Sequence, residues 1–106
     1  MTIRAATAAD TAQLGQIAET AGLFPAEYLP DMIAPALAGA DSETWLVAET
    51  DNEPAGFAFA RAEEMADRVW NILAIAVAED NQRSGLASQL LNAMETQLDA
   101  RLIVID

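Results

Sequence analysis

Apolar residues recur at two spacings along the chain, and the switches between them mark out the elements. TIRAAT (Thr2–Thr7) alternates briefly, as an edge strand does. From Leu14 the spacing becomes helical, with Leu14, Ile17, Ala18 and Ala21 on one face. Thr7 and Asp10 in TAAD are spaced as a capping box, in which Thr7 accepts a backbone N–H and Asp10 reaches back. Gly22 sits where a helix-ending glycine belongs. A second apolar stripe, Tyr28, Leu29, Met32, Ile33 and Leu37, follows Pro25, a residue suited to opening a helix. Pro30 and Pro35 would interrupt this helix, so two short or kinked pieces are predicted, with Gly39 ending the segment.

Beyond Gly39 the period shortens. TWLVAE (Thr44–Glu49) and AGFAFAR (Ala55–Arg61) read as strands, the second with Phe57 and Phe59 on one face. The turn cluster TDNEP (Thr50–Pro54) predicts that they form an antiparallel hairpin. A polar connection, AEEMAD (Ala62–Asp67), leads to RVWNILAIAV (Arg68–Val77), almost continuously apolar, as in a central strand covered on both faces. From Gly85 to Leu98 the period is helical again, with Leu86, Leu90, Met94 and Leu98 in one stripe, and RLIVID (Arg101–Asp106) reads as a last strand. The predicted order is β-α-α-β-β-β-α-β. It describes an α/β (α+β) fold, a mixed, mostly antiparallel central sheet with flanking helices.

Composition narrows the chemistry. At 106 residues and 53% hydrophobic, the chain suits one domain, 1–106, with a core of its own, and is too apolar for disorder. It contains neither cysteine nor histidine. That removes disulfides, a cysteine nucleophile, a Ser-His-Asp triad and His- or Cys-ligated zinc, and no metal is expected. The formal charge of −12 argues against a nucleic-acid partner. It fits a solubilising surface and equally a cationic substrate such as an amine. The N-terminal MTIRAATAADTAQ has no apolar signal core, and the longest apolar run, Ile72–Ala78, is too short to span a bilayer. A cytoplasmic protein with no membrane partner is expected.

The most informative stretch is VAEDNQRSGLASQLL (Val77–Leu91), where a strand passes through a short loop into a helix. The first N–H groups of such a helix lack intrahelical partners and carry the positive end of its dipole, roughly half a unit charge. They can hold an anion by backbone alone. Gly85 leaves room for close approach, Ser84, Ala87 and Ser88 are small, and Arg83 adds a positive charge, a set that suits a pyrophosphate. The same residues also fit an ordinary turn glycine and a serine cap.

With the strand before it, the stretch reads LAIAVAEDNQRSGLASQLL and resembles the acetyl-CoA-binding motif of the GCN5-related N-acetyltransferases, the GNAT superfamily. In that family a central strand ending in valine leads to a loop with glutamine or arginine, then to a glycine and a second glycine or alanine at a helix start. Gln82, Arg83, Gly85 and Ala87 fill those places, and Leu90 and Leu91 take the helix's apolar positions. Glu79 stands where the family often has proline. IRAATAADTAQLGQIA (Ile3–Ala18) is similar to the family's opening strand and first helix, so the resemblance covers residues 2–106. It implies an acyl-CoA N-acyltransferase-like fold and transfer of an acetyl group from acetyl-CoA, a cosubstrate, to a primary amine by direct attack in a ternary complex. It implies that Ile75, Ala76 and Val77 receive the pantetheine arm through their backbone, as a sheet receives an added strand. Gln82 and the N–H groups of Arg83, Ser84, Gly85, Leu86, Ala87 and Ser88 would hold the pyrophosphate, and an N–H near the strand end would polarise the thioester carbonyl. The net charge of −12 does not forbid a polyanionic ligand. At physiological salt the Debye length is about 8 Å, so local donors outweigh distant carboxylates. Glu79 and Asp80 are expected to point to solvent.

The catalytic groups are less defined. Without histidine, the proton acceptor is a carboxylate working through water, or the backbone and water alone. Glu63 and Glu64 near the end of the third strand and Tyr28 on the second helix are the candidates that the family's acceptor cleft suggests, and Asn71 in the central strand could orient a water. Each also has a plain reading: an exposed acidic connection for Glu63 and Glu64, a satisfied amide in the sheet for Asn71, aromatic packing for Tyr28. Trp45 and Trp70 read as core or pocket wall. The family's usual thiol-protonating tyrosine lies on a helix beyond the strand that closes this sequence. A C-terminally truncated form of the fold is therefore expected, with Arg101–Asp106 as an open apolar edge that a second copy would cover in a homodimer. The acceptor would be a small-molecule or peptide amine. The competing function is a non-catalytic acyl-CoA-binding or strand-pairing module.

Overall fold

Asp51 and Asn52 both take left-handed backbone angles, φ 55° and 65°. A two-residue hairpin turn that follows the sheet's own twist requires this, and Asp and Asn tolerate it better than most residues. They join β2 (Glu43–Thr50) to β3 (Glu53–Ala62). The fold is known from a computed structural model that describes residues 1–82, 84–98 and 102–105. Before the hairpin come β1 (Thr2–Ala5), α1 (Thr11–Thr20) and α2 (Leu29–Leu37); after it come β4 (Val69–Val77), α3 (Leu86–Leu98) and β5 (Leu102–Ile105). The sheet runs β1-β2-β3-β4-β5, antiparallel throughout except that β4 and β5 are parallel. This is the mixed, mostly antiparallel sheet with flanking helices that the sequence predicts.

Both faces of the sheet are covered, and a bulge decides which residues face which side. Phe59 pairs with Ala74, but the next residue, Ala60, pairs with Ile72, so Leu73 is an extra residue in β4. Without it, strict alternation would put Ile72, Ala74 and Ala76 on one face. Instead Ala74 and Ala76 join Trp45, Val47, Phe57 and Phe59 under α1 and α2, with Leu14, Ile17, Leu29 and Ile33 from the helices. Ile72 packs with Leu46, Ala58 and Ala60 against Leu86, Leu90 and Met94 of α3, and Ile75 and Val77 adjoin that second cluster. Trp45 stacks on Phe59, directly across the ladder, at 4.4 Å between centroids, and on Phe57 at 5.3 Å.

Arg4 ties the sheet to the start of α1. Its guanidinium forks onto Asp10, and its Nε donates to Glu49 Oε2 at 2.9 Å. Asp10 is buried, and its Oδ2 also accepts the Thr7 backbone N–H at 2.7 Å. Asp10 therefore reaches back as the capping-box spacing predicts, although a 3₁₀ turn, Ala8–Asp10, intervenes before α1. The hydrogen bonds that Arg4 donates lower the Asp10 pKa against the opposing effect of burial, and acceptance by Asp10, then by Glu49, raises that of Arg4.

The helices differ from expectation in detail. Leu14, Ile17 and Ala18 are buried, but Ala21 is an exposed cap residue and Gly22, at φ 79°, ends α1. The second helical segment does come in two pieces. Pro25 precedes a 3₁₀ turn, Ala26–Tyr28, and Pro30 falls in the first turn of α2, where its missing N–H costs nothing, so it opens that helix rather than breaking it. Pro35 is accommodated within α2. Tyr28 therefore lies in the turn before α2 and is 54% exposed, which contradicts the packing role expected of it. Among the described residues no helix is long and apolar enough to cross a membrane.

Candidate active site

Two features meet at the C-terminal end of β4. The first is an edge. The β4–β5 ladder runs from Val69↔Leu102 to Ile72↔Ile105, and among the described residues nothing pairs with that side of β4 from Leu73 to Val77. The last pair of that ladder, Ile72↔Ile105, adjoins the bulge at Leu73. The second is the mouth of α3. Gln89 donates to the Gly85 carbonyl at 3.1 Å, the first rung of that helix, so the N–H groups of Gly85, Leu86, Ala87 and Ser88 fall ahead of the ladder.

Gly85 has φ 81°, and among the described residues nothing beyond its two chain neighbours comes within 4 Å of where its side chain would begin. Glycine is required here by conformation, since a left-handed angle is costly for any residue with a Cβ. Between β4 and α3 a 3₁₀ turn, Glu79–Asn81, sends the side chains of Glu79 and Asp80 to solvent, as expected. Gln82 folds back, its Nε2 3.4 Å from the Val77 carbonyl, and Ser84 Oγ donates to the Asn81 carbonyl. The loop is thus held by its own polar groups, leaving the helix mouth open.

An open pocket of ≈ 320 Å³ results, lined by Val77, Asn81, Gln82, Gly85, Leu86, Ala87 and Ser88. A smaller one of ≈ 190 Å³ adjoins it, sharing Asn81 and Leu86 and adding Met1, Thr50, Ser84 and Gln89. Of the residues the sequence singles out for the cofactor, Val77, Gln82, Gly85, Leu86, Ala87 and Ser88 are therefore gathered in one hollow, with Ser84 next door. Ile75 and Ala76 do not line it. Their side chains pack on opposite faces of the sheet, so only their backbone is available at the open edge. Arg83 lies outside the described residues, as do Arg101 and Asp106 of the expected open edge. Asn81 and the bulge at Leu73 escape the sequence reading. Asn81 lies in a loop stretch without periodicity, and a bulge leaves no signal in a run that is apolar on both faces.

The catalytic candidates separate. Asn71 Nδ2 donates to Glu63 Oε2 at 3.2 Å, bringing these two together on β4 and the connection before it, two residues short of the bulge. Glu64 is exposed in the same connection. That connection, residues 62–70, curls around a hollow of ≈ 540 Å³ whose lining comes entirely from itself and carries Glu63, Glu64 and Asp67. It lies at the opposite end of β4 from the α3 mouth, and its carboxylates make it unsuited to a phosphate. Among the described residues no group of three or more His, Cys, Asp or Glu side chains could hold a metal ion.

The sequence matches the profile of the Acetyltransferase (GNAT) family over residues 12–104. The chain belongs to the GNAT acetyltransferase family. No curated protein matches it. Solved structures with the same fold include a protein from Desulfovibrio desulfuricans assigned to this family, at TM-score 0.82 and 21% identity over 92% of this chain. The chain spans 65% of that protein's length. An apo aminoglycoside 6′-N-acetyltransferase from Acinetobacter haemolyticus is similar at TM-score 0.82 and 19% identity, over 100% of this chain and 79% of the other. AAC(6′)-Iy, in complex with the bisubstrate analogue CoA-S-monomethyl-acetylneamine, is similar at TM-score 0.79 and 21% identity, over 99% and 78%. At such identities the likeness is one of fold, and this GNAT chain has that fold from β1 to β5.

Proposed function

We propose that this GNAT chain transfers an acetyl group from acetyl-CoA to a primary amine. The observation that carries the reading is the juxtaposition at the end of β4: a strand edge, Leu73–Val77, without a partner among the described residues, running into a hollow headed by the amides of α3. A pantetheine arm carries amides that can add to a strand edge, and the diphosphate that follows it needs clustered N–H donors. The two needs are met in the order in which the ligand presents them.

In the reaction the amine nitrogen attacks the thioester carbonyl, the C–N bond forms, the C–S bond breaks, and coenzyme A leaves as a thiolate that takes up a proton. A backbone N–H at the bulged end of β4 stabilises the charge that builds on the carbonyl oxygen. The amine must be neutral to attack and must lose a further proton as it is acylated. With no histidine in the chain, we assign proton acceptance to Glu63, oriented by Asn71 and acting through water. The acidic surface, −12 overall, favours cationic acceptors by steering; the A. haemolyticus neighbour is named for acetylating aminoglycosides, and small polyamines, aminoglycosides and peptide amines are the acceptors to assay. Thiol release from acetyl-CoA across such a panel tests the reading. Amine-dependent release supports it, and CoA binding without release from any amine would leave a binding module instead.

A further inference from the structure

Gly56 of β3 lies opposite Val77, at the seam between the strand edge and the helix mouth. It is buried, and its backbone angle is not among the left-handed glycines, so conformation does not call for glycine here. Space does. A methyl group on its Cα would stand 2.8 Å from Leu86 Cδ2, 2.9 Å from the Ala76 carbonyl oxygen and 3.4 Å from the Val77 Cα. The first atom belongs to the opening residue of α3 and the other two to the last residues of β4. The Ala76 carbonyl is sheet backbone and does not yield freely, while Leu86, 4% exposed among its neighbours on the α3 face, can give way only by turning its terminal methyl toward the hollow it lines.

We infer that Gly56 is a positioning residue for acyl-CoA recognition: the side chain it lacks sets the distance between the β4 edge and the amides of α3. The inference rests on the reading above that this edge and these amides hold one acyl-CoA molecule. Such a ligand is anchored at both places at once, and hydrogen bonds weaken steeply as distance and angle depart from ideal. Any side chain at position 56 wedges the two anchors apart without touching the ligand or the reacting atoms.

The test is Gly56→Ala compared with Ile33→Ala, a core truncation in α2 on the other face of the sheet. Both lower the melting temperature. At a temperature where both are folded, Gly56→Ala is expected to raise the KM for acetyl-CoA and the calorimetric Kd for CoA at least tenfold, with kcat and the KM for the amine within about threefold of wild type. Ile33→Ala leaves the CoA Kd within twofold. Should Gly56→Ala not fold alone, Gly56→Ala/Leu86→Ala removes the nearest contact and keeps the one with Ala76, and it is expected to bind CoA several-fold more weakly than Leu86→Ala. Unchanged CoA affinity in Gly56→Ala, or equal affinity in the double and Leu86→Ala variants, overturns the inference while leaving the proposed function standing. Failure of the wild-type chain to bind CoA overturns both.

Discussion

Arg4 grips Asp10 with two nitrogens at once, Nη1 to Oδ2 at 2.8 Å and Nη2 to Oδ1 at 2.9 Å. The pair joins β1 to the turn before α1, and Asp10 is buried, so breaking it strands a charge. Because the Asp10 pKa is lowered in the folded chain, its contribution is present above the unfolded carboxylate value of about 3.9 and is lost as pH falls through the folded value. Asp10→Asn is expected to cost about 1–3 kcal/mol at pH 7 in urea unfolding. The stability gap between wild type and variant should narrow as pH drops below about 4. A gap independent of pH would mean that the ion pair contributes nothing to folding.

The aromatic cluster should dominate the core under α1 and α2. Phe57 is fully buried and packed beside Trp45. Phe57→Ala is expected to destabilise by about 3–5 kcal/mol in denaturant titration, from lost transfer and the cavity left behind. For a chain of this size that approaches the whole stability, about 5–15 kcal/mol.

Gly85 offers a different outcome, because among the described residues none beyond its chain neighbours obstructs it. Gly85→Ala is expected to cost about 1 kcal/mol through its left-handed angle. The larger effect should fall on ligand binding, since the strain re-aims the first amides of α3. CoA affinity measured by calorimetry should drop further than thermal stability predicts.

Glu63 is exposed and makes its contact with Asn71 at the surface end of β4. Glu63→Gln should leave folding intact and lower kcat at least about 100-fold, with the KM for acetyl-CoA unchanged. Activity equal to wild type would assign the proton to solvent.

The strands and helices could be read from sequence wherever one face is polar. The stripe Leu86, Leu90, Met94 in α3 and the pair Phe57 and Phe59 in β3 are read correctly because each has an exposed counter-face or a turn beside it. The bulge at Leu73 could not be read, since RVWNILAIAV is apolar on both sides and gives no parity signal to break. The role of Pro30 was misread because proline stops a helix in its interior but opens one in its first turn, and sequence alone does not say which residue comes first. The helix-mouth residues were legible because glycine, serine and alanine cluster there for a physical reason. Gly56 was invisible, since what it touches comes from two elements distant in sequence.

The most direct measurement is a CoA titration followed by backbone amide resonances of the labelled protein. The account predicts saturable shifts at Gly85–Ser88 and along Leu73–Val77, with residues 62–67 unmoved. Saturation by CoA with the α3 amides unshifted, or shifts confined to the connection before β4, would contradict it.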